Sequence, residues 1–156
     1  LTKNLIYIIR DIERLYMIYF KTFTNLPEES KMIRIKVFME EQGFKNEFDD
    51  IDNRAIHIVL YKEGKPVGTC RVFWDAEMQA YLIGRVAVLK NARGNHYGTE
   101  LLKEAEQVVV DKGESVLCLA AQITATPFYE SLGYKAYGEA FLDEHCPHIW
   151  MKKKLS

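Results

Sequence analysis

The most chemically suggestive part of the sequence is the passage from Arg85-Val86-Ala87-Val88, through Leu89 to Ala92, into Arg93-Gly94-Asn95-His96-Tyr97-Gly98-Thr99. An apolar strand runs there into a loop carrying glycine and arginine, and the loop opens a long amphipathic helix. Such a loop presents several backbone N–H groups without intrahelical partners at the positive end of a helix dipole, which suits a pyrophosphate. No Gly-Lys-Ser/Thr follows, so this is not a Walker loop, and no Gly-x-Gly-x-x-Gly fingerprint with a later acid is present. Taken alone, the loop fits a phosphorylated cofactor or an ordinary strand–helix connection that turns at Gly94.

A second set of residues concerns charge. If the hairpin after Trp74 turns about Met78, Arg71 and Arg85 fall opposite each other on one face. Like charges directly opposed are destabilising unless an anion lies between them. That anion is either Glu41 or a carboxylate of a substrate. Helical spacing puts Arg34, Val37, Phe38 and Glu41 on roughly one face of the first helix, so Arg34 joins the same group. Histidine titrates near neutral pH, which makes His148 a candidate base, whereas His57 at a strand start fits a structural hydrogen bond. Cys118 lies inside an apolar strand, where thiols are inert.

These residues need elements to position them. The chain has 156 residues, 48% hydrophobic and 28% charged, and its 21 basic and 22 acidic residues give a net charge of −1. These values fit one globular domain and exclude a disordered tail, a fibre and a disulfide-dense scaffold. No basic excess exists to release counterions from nucleic acid, and Lys152–Lys154 reads as a solvated strand end. The longest stretch without Asp, Glu, Lys or Arg, Ser115 to Tyr129, is too short and too polar to cross a bilayer, which takes about 20 apolar residues. Three separated cysteines, Cys70, Cys118 and Cys146, are expected to be free thiols in a reducing cytoplasm.

Residues 1–16 carry Leu5, Ile8, Ile9, Ile12 and Leu15 at near-helical spacing, and are read either as an amphipathic helix or as translated upstream sequence. The single domain is expected over 17–156, with Met17 a natural start. Ile18–Phe23 reads as a strand. Pro27-Glu28-Glu29 opens a helix, with Asn25 a candidate cap, that stops near Gly43. An acidic loop, Glu47-Phe48-Asp49-Asp50-Ile51-Asp52, follows. Strands are expected at Ile56–Tyr61, Val67–Trp74 and Ala80–Val88, with a turn at Glu63-Gly64-Lys65. Asn95–Lys112 is a helix with an apolar stripe of Leu101, Leu102, Ala105, Val108 and Val109. Val116–Ala121 reads as a strand buried on both faces, Thr126–Leu132 as a short helix, and Tyr134–Tyr137 with His148–Leu155 as a final antiparallel pair. The alternation is that of an α/β protein built on a mixed sheet.

Arg93-Gly94-Asn95-His96-Tyr97-Gly98 resembles the Arg/Gln-x-x-Gly-x-Gly/Ala acetyl-CoA loop of the GNAT superfamily of N-acetyltransferases. Thr126-Pro127-Phe128-Tyr129-Glu130-Ser131-Leu132-Gly133-Tyr134 resembles its later Phe-Tyr-x-x-x-Gly-Phe/Tyr segment, in the right order after the next strand. The segment Ile33–Gly43, the acidic loop with Asp52, His57 and Pro147-His148 resemble the ElaA/YjcF-like branch. Together these cover roughly Met17 to Leu155. The first loop glycine is His96 here, and an imidazole must point away from the cofactor or contact it.

The resemblance implies the acyl-CoA N-acyltransferase fold, a mostly antiparallel sheet whose middle strands splay apart, flanked by helices. It implies acetyl-CoA as cosubstrate, without metal. Backbone groups of Val86, Ala87 and Val88 then meet the pantetheine or thioester, amides from Arg93 to Thr99 hold the pyrophosphate, and Phe128 forms an apolar wall. Tyr129 matches the tyrosine that protonates the departing thiolate. Glu41, in the branch's Glu-Gln pair with Gln42, is the favoured base and His148 the alternative. Arg34, Arg71 and Arg85 line the substrate side, which fits a small polar amine better than a protein. A homodimer is compatible with the family. The competing reading is an acyl-CoA-binding module with little or no catalysis, motivated by His96.

Overall fold

A computed structural model describes residues 17–155, so the expectation of a helix within 1–16 lies outside the described residues. Seven strands form one sheet: β1 (Ile18–Phe23), β2 (Ile56–Lys62), β3 (Lys65–Asp75), β4 (Ala80–Val88), β5 (Val116–Gln122), β6 (Lys135–Asp143) and β7 (Cys146–Lys154). They lie in the order β1-β2-β3-β4-β5-β7-β6. Three helices flank them: α1 (Glu28–Arg34), which continues as a π-helix over Ile35–Glu41, α2 (Tyr97–Asp111) and α3 (Thr126–Ser131). This is the mixed α/β architecture that the sequence pattern implies.

Alternation of side chains explains why β2 and β3 are mostly apolar. Ile58 and Leu60 of β2, with Cys70 and Val72 of β3, face the stripe of α2 formed by Leu101, Leu102, Ala105 and Val109. On the opposite face α1 covers the sheet, where Ile33, Val37 and Phe38 pack with Ala87 of β4, and the hydroxyls of Ser30 and Thr69 are hydrogen-bonded at 2.8 Å. Both faces being covered, the polar residues of these strands, His57, Thr69 and Arg71, are buried and hydrogen-bonded rather than solvated.

Every neighbouring strand pair is antiparallel except β4–β5. These two run parallel and are joined only at Tyr81↔Leu117 and Leu82↔Cys118. Beyond Leu82 they separate, leaving an open edge of β4 from Ile83 to Val88. The splay is placed by a connection and a bulge: α2 bridges the two strands over the core, and β4 carries a register shift opposite Thr69/Arg71 with Arg85 in the left-handed region at φ 53.

Several details differ from the sequence reading. Asn25 does not cap α1; Pro27 occupies the N-cap position and no side chain caps the helix. The hairpin pairs Arg71 with Gly84 rather than Arg85, because it closes at Asp75↔Ala80 and so turns between Glu77 and Met78, while the bulge that adds a residue to β4 lies beyond this pair. Ala120 of β5 is exposed, not buried, since it faces the gap between the splayed strands. The last hairpin is much longer than Tyr134–Tyr137 and His148–Leu155, the apolar alternation of β6 being interrupted where Gly138 takes φ 73 and the register shifts before Phe141.

Candidate active site

The splay opens a cleft of about 360 Å³. Val86 of β4 and Leu119 and Ala120 of β5 line its middle, Tyr129 one end, and Phe141, His148 and Trp150 of the long hairpin its side. Beside it, the loop ahead of α2 turns at Gly94 (φ 85) and again at His96 (φ 60, ψ 23), the N-cap. The side chain of Asn95 braces this turn by donating to the Ala92 carbonyl at 3.0 Å. Within the described residues, the amides of Gly94, Asn95, His96, Tyr97, Gly98 and Thr99 donate no hydrogen bond, the first donor of the helix being Glu100 to His96. A row of six unused N–H groups at a helix N-terminus fits the phosphates of an acyl-CoA. His96 adopts the left-handed conformation that glycine adopts without strain, and its exposed side chain leaves the row open.

The remaining loop residues divide by role. Tyr97 is buried in the core and contributes only its backbone to the loop. A Cβ on Gly98 would approach Phe128 Cζ to 3.2 Å, so a larger residue there would require the Phe128 ring to shift by a few tenths of an ångström. Ala87 is buried under α1, and the Val88 carbonyl is occupied by Arg93 Nε at 3.0 Å. The Arg93 guanidinium is turned away from the amide row and grips both oxygens of Glu41 at 2.9 Å.

That ion pair changes the reading of Glu41. The wider turns of the π-helix carry Glu41 off the face shared by Arg34, Val37 and Phe38, onto the surface. Hydrogen bonding to Arg93 lowers its pKa, and it does not line the cleft, so a base within the cleft must be sought elsewhere. His148 does line it. Its Nδ1 lies 2.9 Å from the Cys146 carbonyl and its ring stacks on Phe141 at 5.9 Å, which leaves Nε2 as the nitrogen able to accept a proton. Tyr129 packs edge-on between Phe128 and Tyr134 at 5.0 and 6.0 Å, and burial raises the pKa of its phenol. Gln122, paired in register with His148, donates to Gln42 at 2.7 Å across the cleft.

The three arginines meet an internal anion, though not Glu41. Arg34 is 1% exposed and clasps Asp52 at 2.7 and 3.0 Å. Arg71 reaches Asp49 at 2.6 Å and Asp52 at 2.8 Å. Arg85 pairs with Glu47 Oε1 at 2.5 Å and with Asp49 at 3.6 Å. His57 fills the expected structural role, its Nε2 lying 2.9 Å from the Asp52 carbonyl, with burial lowering its pKa. Arg71 and Arg85 still reach the cleft, but Arg34 is sealed behind them and cannot touch a substrate.

Burial pushes the carboxyls of this cluster up while the guanidiniums pull them down, and the balance differs by residue. For Asp52 the Arg34 and Arg71 pairs overcome burial and hold it down to about 2. For Glu47 burial wins over Arg85, Arg34 and Arg71, lifting its carboxyl to about 7. Glu47 and Asp49 are the site residues that the sequence argument did not single out. The acidic run Glu47–Asp52 was their only signal.

A splayed parallel pair within a mixed sheet, with free amides at the following helix, defines a GNAT-type acyltransferase. The sequence matches the family described as acetyltransferase (GNAT) domain over residues 26–155, and the chain belongs to that family. It is 37% identical over 124 residues to YjcF of Bacillus subtilis, an uncharacterized N-acetyltransferase, covering 78% of this chain and 87% of that protein. The crystal structure of Escherichia coli ElaA superposes with a TM-score of 0.77 at 26% identity, over 88% of this chain and 100% of that one. An acyl-CoA N-acyltransferase from Pseudomonas aeruginosa shares the fold, with a TM-score of 0.76 at 23% identity over 88% and 99% of the two chains.

Proposed function

We propose that the protein transfers the acetyl group of acetyl-CoA to a primary amine of a small molecule by direct attack in a ternary complex. The observation that carries this reading is the pairing of a cleft between β4 and β5, lined by Val86 and Tyr129, with unbonded amides from Gly94 to Thr99 on the loop that follows β4. Those amides hold the pyrophosphate, and the open edge of β4 around Val86 and Val88 accepts the pantetheine as an added strand. The backbone near Val86 faces the developing oxyanion. His148 Nε2 accepts the proton released as the C–N bond forms, and Tyr129 donates its phenolic proton to the departing thiolate. The raised pKa of Tyr129 keeps it in the proton-bearing form until that moment.

Calorimetric titration with acetyl-CoA tests the reading, with CoA and ATP as comparisons. Micromolar affinity for acetyl-CoA, near −8 kcal/mol, with ATP silent, is expected. Absence of binding at millimolar ligand would overturn the cofactor assignment. Tyr129→Phe should then slow turnover about 100-fold or more with binding retained. An unchanged rate removes Tyr129 as the acid. Tight binding without acetylation of any amine would instead favour an acyl-CoA-binding module.

A further inference from the structure

Aromatic rings from several elements line the cleft between β4 and β5: Phe38, Phe44, Phe73, Phe141 and Trp150. On the long hairpin the register sets Phe141 beside His148, and Trp150, two residues further along β7, shares that face of the sheet. The ring centroids of Phe141 and Trp150 lie 5.6 Å apart, with planes 30° from parallel, and Phe141 lies 5.9 Å from the His148 ring. Phe44 comes from the loop after the first helix, with Phe38 edge-on to it at 6.4 Å. Phe73 packs with Trp150 in one cluster. Phe38 and Phe73 are buried, whereas Phe44, Phe141 and Trp150 line the cleft half-buried, with part of each ring left open.

The charges on the same walls are already matched. Arg71 is held by Asp49 and Asp52, and Arg85 by Glu47. Asp143, the other acid that lines the cleft among the described residues, is exposed. An acceptor carrying a second charged group would have to compete with one of these pairs for its partner, at the cost of a buried ion left unpaired. An uncharged ring meets no such cost.

We propose that the acceptor is an aromatic amine, a primary amino group on a short chain from an uncharged aromatic ring, and that Phe44, Phe141 and Trp150 form the subsite for the ring. The inference rests on the acyl-transfer reading above and names the acceptor class for that same cleft. With the ring against Phe141, the amino group comes beside His148, the neighbour of Phe141 in register and the residue assigned to take its proton. Burial alone does not select an aromatic acceptor. A cyclohexyl ring removes at least as much apolar surface from water as a phenyl ring, so area by itself gives the phenyl group no advantage. Walls made of rings reverse that order, because the positive edge of one aromatic ring seeks the negative face of another. The sign of the preference separates an aromatic subsite from a merely apolar one.

Phenethylamine and its ring-saturated analogue cyclohexylethylamine carry the same chain and a similarly basic amino group, and differ in the ring. With acetyl-CoA, kcat/KM should be about 10-fold higher for phenethylamine, the worth of one or two ring contacts. Trp150→Leu and Phe44→Leu should each bring the two amines to within about 3-fold of one another. Phe44 lies on a loop, so its variant keeps the comparison open where loss of Trp150 from its cluster weakens the fold. Binding is read without turnover from the two indole N–H resonances of ¹⁵N-labelled protein, with and without CoA. Phenethylamine should shift the Trp150 resonance, identified by its absence from Trp150→Leu, and leave that of Trp74, which does not line the cleft. Equal or inverted kcat/KM for the two amines, acetylation of neither by protein that binds acetyl-CoA, or an unmoved Trp150 resonance overturns the proposal. Failure of wild-type protein to bind acetyl-CoA defeats the acyl-transfer reading instead, and the Trp150 shift in CoA-free protein then decides the ring subsite.

Discussion

At Asp52, guanidiniums from two elements converge on one carboxylate, Arg34 at 2.7 Å and Arg71 at 2.8 Å, and all three side chains are buried. Removing the charge takes from buried Arg34 its close carboxylate and leaves Arg71 with Asp49 alone, so Asp52→Asn should cost about 3–5 kcal/mol of stability at pH 7. A urea midpoint equal to that of the wild type would refute this. The pH dependence follows from direction. The folded pKa of Asp52 is depressed from 3.8 to about 2, so its contribution is complete above 3.8 and is lost as pH falls toward 2. The window is worth roughly 2 kcal/mol. Glu47 works in the opposite sense. Its folded pKa is raised from 4.5 to about 7, so the fold binds its proton more tightly and stability declines as pH rises across that interval. In Glu47→Gln that decline should vanish while the acid limb due to Asp52 persists. His96 offers a backbone test. At φ 60 a β-branched side chain is strained, so His96→Val should cost about 1–2 kcal/mol and His96→Gly much less, both read from urea midpoints.

Among the elements, the hairpin of β6 and β7 shows how a site is completed from a distance. Its tip residue Glu144 accepts from the amides of Lys45 at 3.0 Å and Asn46 at 3.1 Å, and His145 packs on Phe44 at 4.9 Å. The hairpin is thereby tied to the loop that carries Glu47, across the mouth of the cleft. Those two amide bonds lower the Glu144 pKa, so the tie is complete above 4.5 and is released as pH falls through the lowered value. Glu144→Ala should speed hydrogen exchange at Lys45 and Asn46 at pH 7 without changing exchange in the β2 core. Unchanged exchange at both amides would refute the tie. This hairpin was also the element least legible in the sequence. Gly138-Glu139-Ala140 and the Glu144-His145 turn break the apolar alternation, so pattern alone stops at Tyr137 and resumes at His148. The stripe of α2, by contrast, was legible because a single periodicity governs it. The loop ahead of α2 was legible from its strand–loop–helix pattern, whereas Tyr129 was singled out by the family resemblance and His148 by the chemistry of its imidazole. The partner of Arg71 and Arg85 was not legible, because choosing among Glu41, Glu47, Asp49 and Asp52 depends on a π-helical turn and a bulge that no spacing rule encodes.

For the whole molecule, the sheet is two antiparallel sections hinged at one short parallel contact, Tyr81↔Leu117 and Leu82↔Cys118. The section β1-β2-β3-β4 is covered by both long helices, whereas β5-β7-β6 carries the hairpin side of the cleft. Covering one section on both faces leaves the weak seam where backbone groups of β4 lack a partner, and under the proposed function a strand-like ligand supplies it. Binding of that kind stabilises the fold by mass action: ligand at 100 times its Kd adds about 2.7 kcal/mol. For a chain of this size the gain corresponds to a rise in Tm of roughly 5–10 °C. Its spatial distribution separates a ligand in the seam from one held at the surface. With CoA bound, hydrogen exchange should slow along Ile83–Val88 and at Gly94–Thr99, while β2, already paired on both edges by β1 and β3, should not respond beyond the global term. Protection confined to Gly94–Thr99 would place the nucleotide correctly but remove the pantetheine from β4. Uniform slowing across all strands would mean that CoA binds without entering the seam at all.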